Sequence, residues 1–508
     1  MKSLFIAPYA GGESLDREGK VFKERVFPAP ALGVHHIASY LREHGFHCDV
    51  LDPNIQYEFL APLLGKERYD LVGFSMNHQT LEHDLGIVHQ VKKILPNALL
   101  VAGGIEATFN YQQVFQHAPL DLIVLGEGER PLLDICSRKD GQEIPGLYLR
   151  KGEKIIFTGH RPALNKEEFS HIVLNLDFNN IPYPLYWQSL ECRYDGCLTS
   201  KQLQEIRTIR IYTTNYCPYE CAFCSATHFR SFVEGKKAKV ISLEPNEVVE
   251  ALKKALEYHP LAETVFFSDD DFVLDPHRSK GICQEIIQAK KEGLLPQRLS
   301  FIANTRLNNL TAEIISLMEA AGWRIILCGV ESFSPELLQE YNKKFDLDMV
   351  HENINLLLQS TLSPYLTIIL FSPECTLEDV IVTVEQCIRY ALAGAGLGIY
   401  SYVMPLPGCQ MLDREGVEVE YQRVPIPGTN LTIEKIRRLL PKNSQVRALL
   451  YEIDRTLESI QKELAHRFRI AHFSSRIYSL VFLYIICQTL GLKTQLAAVE
   501  TLLAQVSH

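Results

Sequence analysis

The chain has 508 residues, of which 46% are hydrophobic and 22% are charged, as in ordinary globular proteins. The length suggests about three domains. A formal net charge of −10 disfavours a general nucleic-acid binder, because such proteins present clustered positive charge. The opening stretch MKSLFIAPYAGGES has one lysine and a short apolar core. It predicts a first β-strand and no signal peptide, so we expect a cytoplasmic protein.

Strand and helix patterns alternate over residues 1–145. Two helical patterns, ALGVHHIASYLREHGF and HDLGIVHQVKKIL, separate strands such as SLFIAP, DLVGFSM and ALLVAGG. This alternation predicts an α/β fold with a doubly wound, Rossmann-like parallel sheet. Ligands of such sheets bind at the carboxyl ends of the strands. The candidate ligand-binding residues at these ends are Ser75, Gly103, Gly104, Gly126 and Glu127.

The rest of the chain divides into three parts. Residues 146–205 are rich in proline and aromatic residues and predict an irregular connecting segment. Residues 206–415 contain six further strand–helix repeats, which predict a partial (β/α)6 barrel of the TIM type. Residues 416–508 are predicted to be mostly helical, with no transmembrane segment. Their apolar run from Ile477 is shorter than the roughly 20 residues that span a bilayer, so it indicates a buried helix or a surface for lipid-like molecules.

Three cysteines lie within eight residues of the loop after the first barrel strand: Cys217, Cys221 and Cys224. Thiolates suit zinc or iron–sulfur clusters. Structural zinc normally takes four protein ligands, which a lone triplet does not supply. A [4Fe–4S] cluster is usually held by four cysteines, so a cluster on three would keep one iron open for a substrate or cofactor. The pattern therefore favours a catalytic iron–sulfur cluster.

The stretch CPYECAFCS, with Phe223 before the last cysteine, resembles the signature of the radical S-adenosylmethionine (radical SAM) superfamily. The resemblance implies that SAM binds the open iron through its amino and carboxylate groups. Reductive cleavage then gives a 5′-deoxyadenosyl radical, which takes a hydrogen atom from a small-molecule substrate. It also implies a reducing partner such as flavodoxin or ferredoxin.

The same resemblance assigns SAM contacts to the ends of the barrel strands. The SDDD motif would bind the methionyl ammonium, where a carboxylate is electrostatically favourable. The arginine of ANTR would pair with the SAM carboxylate, the GVES motif would lie near the ribose, and the backbone of MPLPG would lie near the adenine. The residues predicted in this way are Ser268, Asp269, Asp270, Arg306, Glu331 and Ser332.

The N-terminal sheet resembles the cobalamin-binding domain that precedes many radical SAM domains. The family pattern is D-x-H-x-x-G, then S-x-L, then G-G. Ser75 and Gly103–Gly104 stand at a matching separation, while Asn77 replaces the leucine. Glycines let a backbone approach a ligand closely. Ser75 would then form a hydrogen bond with the nucleotide tail.

The first part of that pattern is altered in PAPALG. Gly33 remains, while Pro28 and Pro30 replace the aspartate and the histidine. Proline offers no donor atom, so no side chain there can ligate cobalt, which is also true of many cobalamin-dependent radical SAM enzymes. His35 and His36 follow on a helix and are interpreted as surface or core histidines, with cofactor contact as the alternative.

These features predict a cobalamin-dependent radical SAM enzyme that transfers a methyl group to an unactivated carbon. The alternatives are a cobalamin-independent radical SAM enzyme for rearrangement, cyclisation or methylthiolation, and a non-catalytic carrier. Methylthiotransferases hold a second cluster on three N-terminal cysteines, whereas this domain has only Cys48 and Cys136. Tyr400 and Tyr402 are candidates to line the substrate pocket. A redox or metal role for Cys192 and Cys197 is a weaker alternative to a structural one.

Overall fold

In this computed structural model, the residues described are 1–11, 14–15, 21–22, 29–137, 141–191, 198–468, 470 and 475–506. They form a seven-stranded sheet, a six-stranded sheet, two two-stranded sheets and a C-terminal group of three helices. None of the described helices has both the length and the apolar character needed to cross a membrane.

The N-terminal sheet has the strand order β4-β1-β5-β6-β7-β8-β9, and its first five strands are parallel. Helices cover both faces and enclose two apolar cores, so the predicted doubly wound fold is confirmed. The elements are β1 (Lys2–Ile6), β2 (Ser14–Leu15), β3 (Val21–Phe22), α1 (Leu32–Glu43), β4 (His47–Leu51), α2 (Pro53–Gln56), α3 (Leu60–Lys66), β5 (Leu71–Ser75), α4 (Leu81–Ile94), β6 (Leu99–Gly103), α5 (Ile105–Phe109), α6 (Tyr111–His117), β7 (Leu122–Val124), α7 (Glu129–Cys136), β8 (Leu147–Lys151) and β9 (Lys154–Phe157).

The prediction of an irregular segment over residues 146–205 is wrong. β8 and β9 form an antiparallel hairpin that extends the N-terminal sheet, with Lys151 paired to Lys154 across a two-residue turn. The stretch LYLRKGEKIIF has the alternation of a half-buried strand pair. Three helices follow: α8 (Lys166–Leu174), α9 (Tyr183–Glu191) and α10 (Ser200–Ile206). A boundary at residue 145 would divide this sheet, so we propose that the N-terminal domain extends to residue 157.

Aromatic residues of α9 attach this connecting region to both neighbours. The Tyr186 hydroxyl donates to Asp52 of the N-terminal domain at 2.6 Å. The Tyr183 hydroxyl accepts from the Arg210 backbone N–H at 2.9 Å on the first barrel strand. The proline- and aromatic-rich composition therefore reflects packing between two domains and not an irregular chain.

The second sheet has the order β10-β11-β12-β13-β14-β15, with all strands parallel and its two edges unpaired with each other. Helices pack on its outer face, which confirms the predicted six-stranded partial barrel. The elements are β10 (Thr208–Ile211), α11 (Ala226–Glu234), α12 (Pro245–Tyr258), β11 (Thr264–Phe267), α13 (Pro276–Lys291), β12 (Ser300–Thr305), α14 (Ala312–Ala321), β13 (Trp323–Glu331), α15 (Pro335–Glu340), α16 (Leu347–Leu358), β14 (Ser363–Phe371), α17 (Leu377–Leu392) and β15 (Gly396–Tyr402).

A long β-hairpin follows the barrel and bridges the two domains. The hairpin consists of β16 (Glu418–Pro425) and β17 (Thr432–Leu440). Ile426 and Ile433 belong to the apolar core of the N-terminal sheet, while Leu439 belongs to the barrel core. The sequence analysis did not anticipate this hairpin within its mostly helical region.

The C-terminal helices are α18 (Ser444–Phe468), α19 (Ser475–Thr489) and α20 (Lys493–Val506), as the helical prediction for this region required. The apolar run from Ile477 forms α19, which is buried against the edge strand β15. The Ser479 hydroxyl accepts from Ile399 N at 2.9 Å and donates to Leu397 O at 3.0 Å. These bonds satisfy edge groups that would otherwise be unpaired, so α19 closes the open side of the barrel.

Candidate functional site

The three cysteines lie on the loop between β10 and α11, at the carboxyl end of the barrel. Cys217 and Cys221 are buried and Cys224 is partly buried. The Cys224 N–H donates to Cys221 O at 3.0 Å, and the Ala222 N–H donates to Tyr341 O at 2.9 Å. Burial raises the pKa of the Cys217 thiol to about 12 and that of Cys224 to about 11. Both are therefore neutral thiols in the cofactor-free chain.

Arg306, from the end of β12, reaches this loop. Its Nη1 donates to Cys221 Sγ at 3.1 Å, and its Nη2 donates to Lys343 O. The guanidinium lies 4.0 Å from the ring centroid of Tyr219 and 4.6 Å from that of Phe345. The residue predicted to pair with the SAM carboxylate thus contacts a cysteine sulfur.

The three cysteines do not converge on one point. Across the described part of the chain, no three His, Cys, Asp or Glu side chains are close enough together to hold a single metal ion. In a [4Fe–4S] cluster each cysteine binds a different iron, so the cluster does not require such a convergence. Arg306 can donate to Cys221 in a cluster-bound state as well, because a metal-bound thiolate still accepts hydrogen bonds.

Asp269 and Asp271 accept hydrogen bonds from the protein, but Asp271 Oδ2 is buried without a hydrogen-bond partner. Asp269 is buried and accepts 2.5 Å hydrogen bonds from the backbone and the hydroxyl of Thr213. Asp271 accepts from the Thr305 hydroxyl at 2.9 Å and from the Arg306 backbone at 3.1 Å. Burial raises the pKa of both carboxyl groups, and these donors oppose the shift. Asp269 therefore fixes the start of the cysteine loop.

Ser268 and Asp270 keep free polar atoms. The Ser268 hydroxyl oxygen is buried and has no hydrogen-bond partner. Asp270 reaches solvent at the barrel mouth and forms no hydrogen bond with any described residue. Crowding by surrounding protein atoms, together with the charges of Asp269 and Asp271, raises the pKa of Asp270 to about 6. These two predicted residues are the ones that a polar ligand can still engage.

Glu331 ends β13 in a strained conformation. Its φ is +68°, which is uncommon for a residue with a side chain, and it lies at a β-bulge. Its carboxylate forms a buried ion pair with Lys343 at 2.9 Å. Such strain is typical of functional sites. Phe223 lies close by, edge-on to Tyr341 with ring centroids 5.4 Å apart.

Ser332 is separated from the other predicted SAM contacts. It is fully buried, and its hydroxyl lies 3.3 Å from the hydroxyl of Thr383 on α17, in the helical layer outside the barrel. It also accepts from the Ser334 N–H at 3.1 Å. The structure therefore does not bring Ser332 together with Glu331.

The five residues predicted at the ends of the N-terminal strands line one cleft of about 240 Å³. Gly104 has a φ of +92°, and a Cβ there would lie 2.7 Å from Met76 O, so the turn requires glycine. Gly33 lines the same cleft, as does Phe229 of α11. The cleft residues predicted from the sequence are Ser75, Gly103, Gly104, Gly126 and Glu127.

Helix α11 is a wall shared by the two sites, which no sequence pattern predicted. It begins two residues after Cys224, and its Phe229 faces the N-terminal cleft. Arg230 forms an ion pair with Glu127 at 2.6 Å. A Cβ on Gly126 would lie 2.6 Å from Val233, so the cleft and the helix are in close contact. The aromatic and basic residues directly after the cysteines were the available signal.

His35 and His36 are core residues at this interface. Burial lowers the pKa of His35 to about 3 and that of His36 to about 4. The His36 ring lies 4.9 Å from the ring of Tyr212, which leads into the cysteine loop. His35 Nε2 and His36 Nδ1 are buried without hydrogen-bond partners. Of the remaining candidates, Tyr400 lines the barrel interior, whereas Cys192, Cys197 and Pro28 lie outside the described residues.

Family models match both domains. The model of the radical SAM superfamily matches residues 211–387, which include the cysteine loop and most of the barrel. Residues 211–387 therefore form a radical SAM domain. The model of the B12 binding domain matches residues 20–135, and the two matches together cover more than half of the chain.

This chain is similar to two proteins over most of its length. It is 26% identical to the uncharacterized methyltransferase PH0819 of Pyrococcus horikoshii, over 75% of this chain and 77% of the relative. It is 23% identical to the anaerobic magnesium-protoporphyrin IX monomethyl ester cyclase of Cereibacter sphaeroides, over 65% of this chain but only 51% of the cyclase.

A solved structure shares the fold. The radical SAM methyltransferase TsrM from Kitasatospora setae, with cobalamin and a [4Fe–4S] cluster bound, superposes with a TM-score of 0.64 at 17% identity. The match covers 84% of this chain and 82% of TsrM. It shows that the α/β domain, the barrel and the helical C-terminal region occur together in one architecture.

The family gives the cofactors as a [4Fe–4S] cluster, SAM and cobalamin. The chain's own residues fit all three. Three thiols on one loop suit an iron–sulfur cluster with one open iron. The unpartnered hydroxyl of Ser268 and carboxylate of Asp270 suit the polar end of SAM. The glycine-lined N-terminal cleft leaves a space that a nucleotide tail can enter.

Proposed function

We propose that this protein is a cobalamin-dependent radical SAM methyltransferase that transfers a methyl group to an unactivated carbon of a small or lipid-like molecule. The observation that carries the proposal is the shared α11 wall. This helix leaves the cysteine loop at Ala226 and presents Phe229 to the cobalamin-type cleft. A methyl-donor site and a radical-generating site on two sides of one helix suit a reaction that needs both.

The predicted residues other than Ser332 have proposed roles in this arrangement. Cys217, Cys221 and Cys224 hold the cluster, and Phe223 lies beside them. Asp270 and Ser268 bind the methionyl end of SAM, while Asp269 holds the cysteine loop in place through Thr213. Glu331, oriented by Lys343, faces the ribose. The cleft residues that would bind the cobalamin tail are Ser75, Gly103, Gly104, Gly126 and Glu127.

When bound, the cofactors supply two things. One is an electron, which cleaves SAM, and the other is a methyl group, which is transferred. The protein residues position these groups and limit water access. Arg306 places positive charge beside the cysteine loop and is itself held between two aromatic rings. Arg230 neutralises Glu127 at the base of the cleft. Cleaving SAM requires a reductant, and we propose a flavodoxin or ferredoxin as electron donor and the cytoplasm as location.

The decisive test is anaerobic reconstitution of the full chain with iron, sulfide and hydroxocobalamin. After desalting, iron, cobalt and the visible spectrum are measured in one sample. We expect roughly four irons and one cobalt per chain. Iron without cobalt would overturn the cobalamin-dependent proposal and favour cobalamin-independent radical chemistry.

Methyl transfer is then tested with SAM that carries a trideuterated methyl group. We expect a product heavier than its substrate by one trideuterated methyl group in place of hydrogen, together with 5′-deoxyadenosine. Ring formation is the second candidate, because the cyclase of Cereibacter sphaeroides aligns over 345 residues. A product without deuterium but with a lower mass than its substrate would favour that reaction.

A further inference from the structure

The partial barrel encloses a cavity of about 660 Å³, the lumen cavity, which is separate from the N-terminal cleft. Its walls are inward-facing side chains of β10–β15, and Tyr478 of α19 closes its open side. On β10 the cavity reaches Arg210, and two residues later the chain enters the cysteine loop. Two residues of a strand span about 7 Å, so the start of the cysteine loop lies close to this part of the cavity wall.

The lumen cavity is mostly apolar. Arg210, Phe266 and Ile302 are direct neighbours on three adjacent strands and form one side of it. Cavities of this size hold drug-sized molecules. The apolar residues of the wall include Leu190, Phe266, Ile302, Ile325, Leu327 and Ile399.

Arg210 is the one basic side chain in this wall, and it has no counter-ion among the described residues. Its guanidinium forms no ion pair and no side-chain hydrogen bond with them. Its Cζ lies 5.2 Å from the centroid of the Phe266 ring. Glu205 is the wall's one described carboxylate, and it pairs with Arg324 at 3.8 Å. Arg210 therefore presents free donors to the cavity.

An unpaired guanidinium in an apolar wall is costly unless a ligand compensates for it. Burial lowers the pKa of Arg210, which shows that its surroundings disfavour the charge. By contrast, the buried Arg438 has two carboxylate partners. Its Nη2 lies 3.0 Å from Glu420 Oε2 and 2.7 Å from Asp454 Oδ2. Planar guanidinium groups match the oxygens of carboxylates and phosphates.

We propose that the lumen cavity binds an amphiphilic substrate whose terminal oxyanion pairs with Arg210 and whose apolar body lies along Phe266, Ile302 and Leu327. The inference rests on the proposed function, since it names the substrate class for the same reaction. Carboxylate and phosphate head groups share this chemistry, and the experiment distinguishes them.

Binding is measured by calorimetry on the reconstituted full chain with three probes below their micelle concentrations: laurate, dodecyl phosphate and dodecanol. We expect at least one anion to bind about tenfold or more tightly than dodecanol, because charge-assisted hydrogen bonds are worth more than neutral ones. The preferred anion identifies the head group. Equal affinity for all three probes, or no binding of the anions, would overturn the proposal.

Three variants locate the effect. Arg210→Met should remove the preference for the anion and leave dodecanol binding within about twofold. Arg210→Lys should keep part of the preference, and it remains informative if Arg210→Met fails to fold. Leu327→Trp should fill the cavity and weaken every probe. The matched control is Arg455→Met, an exposed arginine on α18, which should change nothing. An anion preference that survives in Arg210→Met would contradict the assignment.

Binding of the probes and cleavage of SAM are measured separately. SAM cleavage by the same wild-type sample is measured as 5′-deoxyadenosine. Anion-selective binding without SAM cleavage would remove the proposed function and leave the ligand class in place. SAM cleavage without anion selectivity would remove the ligand class and leave the proposed function in place.

Discussion

Arg306 donates a hydrogen bond from Nη1 to Cys221 Sγ at 3.1 Å, linking the end of the third barrel strand to the middle cysteine of the loop. Two aromatic rings and a backbone carbonyl fix the guanidinium from its other sides. A positive charge held next to a cluster-ligating sulfur stabilises the more negative, reduced form of that cluster.

Replacing Arg306 with glutamine should therefore lower the reduction potential of the cluster. The substitution removes the charge and shortens the side chain, so we expect a shift of tens of millivolts to more negative values. The measurement is a redox titration followed by electron paramagnetic resonance. Arg324→Gln is the control, because that arginine pairs with Glu205 and does not contact the loop. An unchanged potential in Arg306→Gln would exclude this role.

Each cysteine of the loop should be indispensable. Cys217→Ala, Cys221→Ala and Cys224→Ala should each abolish SAM cleavage, because a cluster held by two thiolates loses a defined open iron. Cobalamin should stay bound, since its cleft belongs to the other domain. Iron, cobalt and 5′-deoxyadenosine are measured on each variant. The control is Cys283→Ala, a buried cysteine on α13, which should retain all three. Cleavage surviving in any loop variant would disprove the cluster assignment.

Gly103→Val tests the cobalamin cleft. A Cβ at Gly103 meets no atom closer than Val124 O at 3.7 Å, so the chain tolerates the side chain while the cleft loses space. A steric overlap that costs more than about 1.4 kcal/mol weakens binding tenfold. We expect cobalt per chain to fall about tenfold or more and iron to stay constant. Gly65→Ala on α3, where the added Cβ meets nothing within 4 Å, is the matched control. Normal cobalt in Gly103→Val would place cobalamin elsewhere.

Glu129 should make stability depend on pH. Burial, and next the charge of Glu127, raise its pKa from 4.5 to about 7. The native state then binds more protons than the unfolded state, so stability is greatest below pH 4.5 and decreases as the pH rises toward 7. From pH 5 to pH 8 the loss is about 2 to 3 kcal/mol.

Urea unfolding of the cofactor-free chain measures this effect. Because glutamine mimics the neutral acid, Glu129→Gln should be about as stable as the wild type at pH 5 and more stable at pH 8. Glu143→Gln, at an exposed carboxylate, serves as the reference. A parallel pH dependence in Glu129→Gln and the wild type would show that Glu129 is not the titrating group.

Lys435 of the hairpin should be important for the domain interface. The Lys435 side chain is only 4% exposed, and its Nζ lies 2.5 Å from Oε2 of Glu82 in the N-terminal domain. Lys435→Met leaves Glu82 poorly solvated and should lower the free energy of unfolding by about 3 kcal/mol. Lys93→Met is the control, since that exposed lysine reaches the same hairpin only at Gly428 O, 3.4 Å away. We expect the double variant Lys435→Met with Glu82→Leu to recover most of the loss. Equal stability of Lys435→Met and Lys93→Met would show that the Lys435–Glu82 ion pair does not stabilise the protein.

The sequence predicted the features that depend on local pattern. Alternating strands and helices predicted two parallel sheets, and the carboxyl-end rule predicted that Ser75, Gly103 and Gly126 would meet. The roles of individual polar groups were less accessible. Asp269 and Asp270 are adjacent in SDDD, yet one is fully hydrogen-bonded and the other is free. Such differences depend on neighbours from distant strands.

The features that were missed depend on distant contacts. Apart from Ile426, the buried residues of the core around Ile433 lie more than 280 positions earlier, so no local pattern explains its strand. The place of Arg306 depends on the rings of Tyr219 and Phe345, which come from two other loops. Ser332 directly follows Glu331 but faces the opposite side of the sheet.

The route of the hairpin also affects how the protein is made. Ile426 and Ile433 complete the core of a domain whose other strands end at Phe157. A ribosome therefore synthesises the whole barrel before the first domain receives its last core residues, although domains usually fold in order of synthesis. The nascent N-terminal domain exposes part of its apolar core during that interval. A fragment that stops after the barrel would lack these residues, so the two cofactor domains cannot be separated by truncation and depend on each other during biosynthesis.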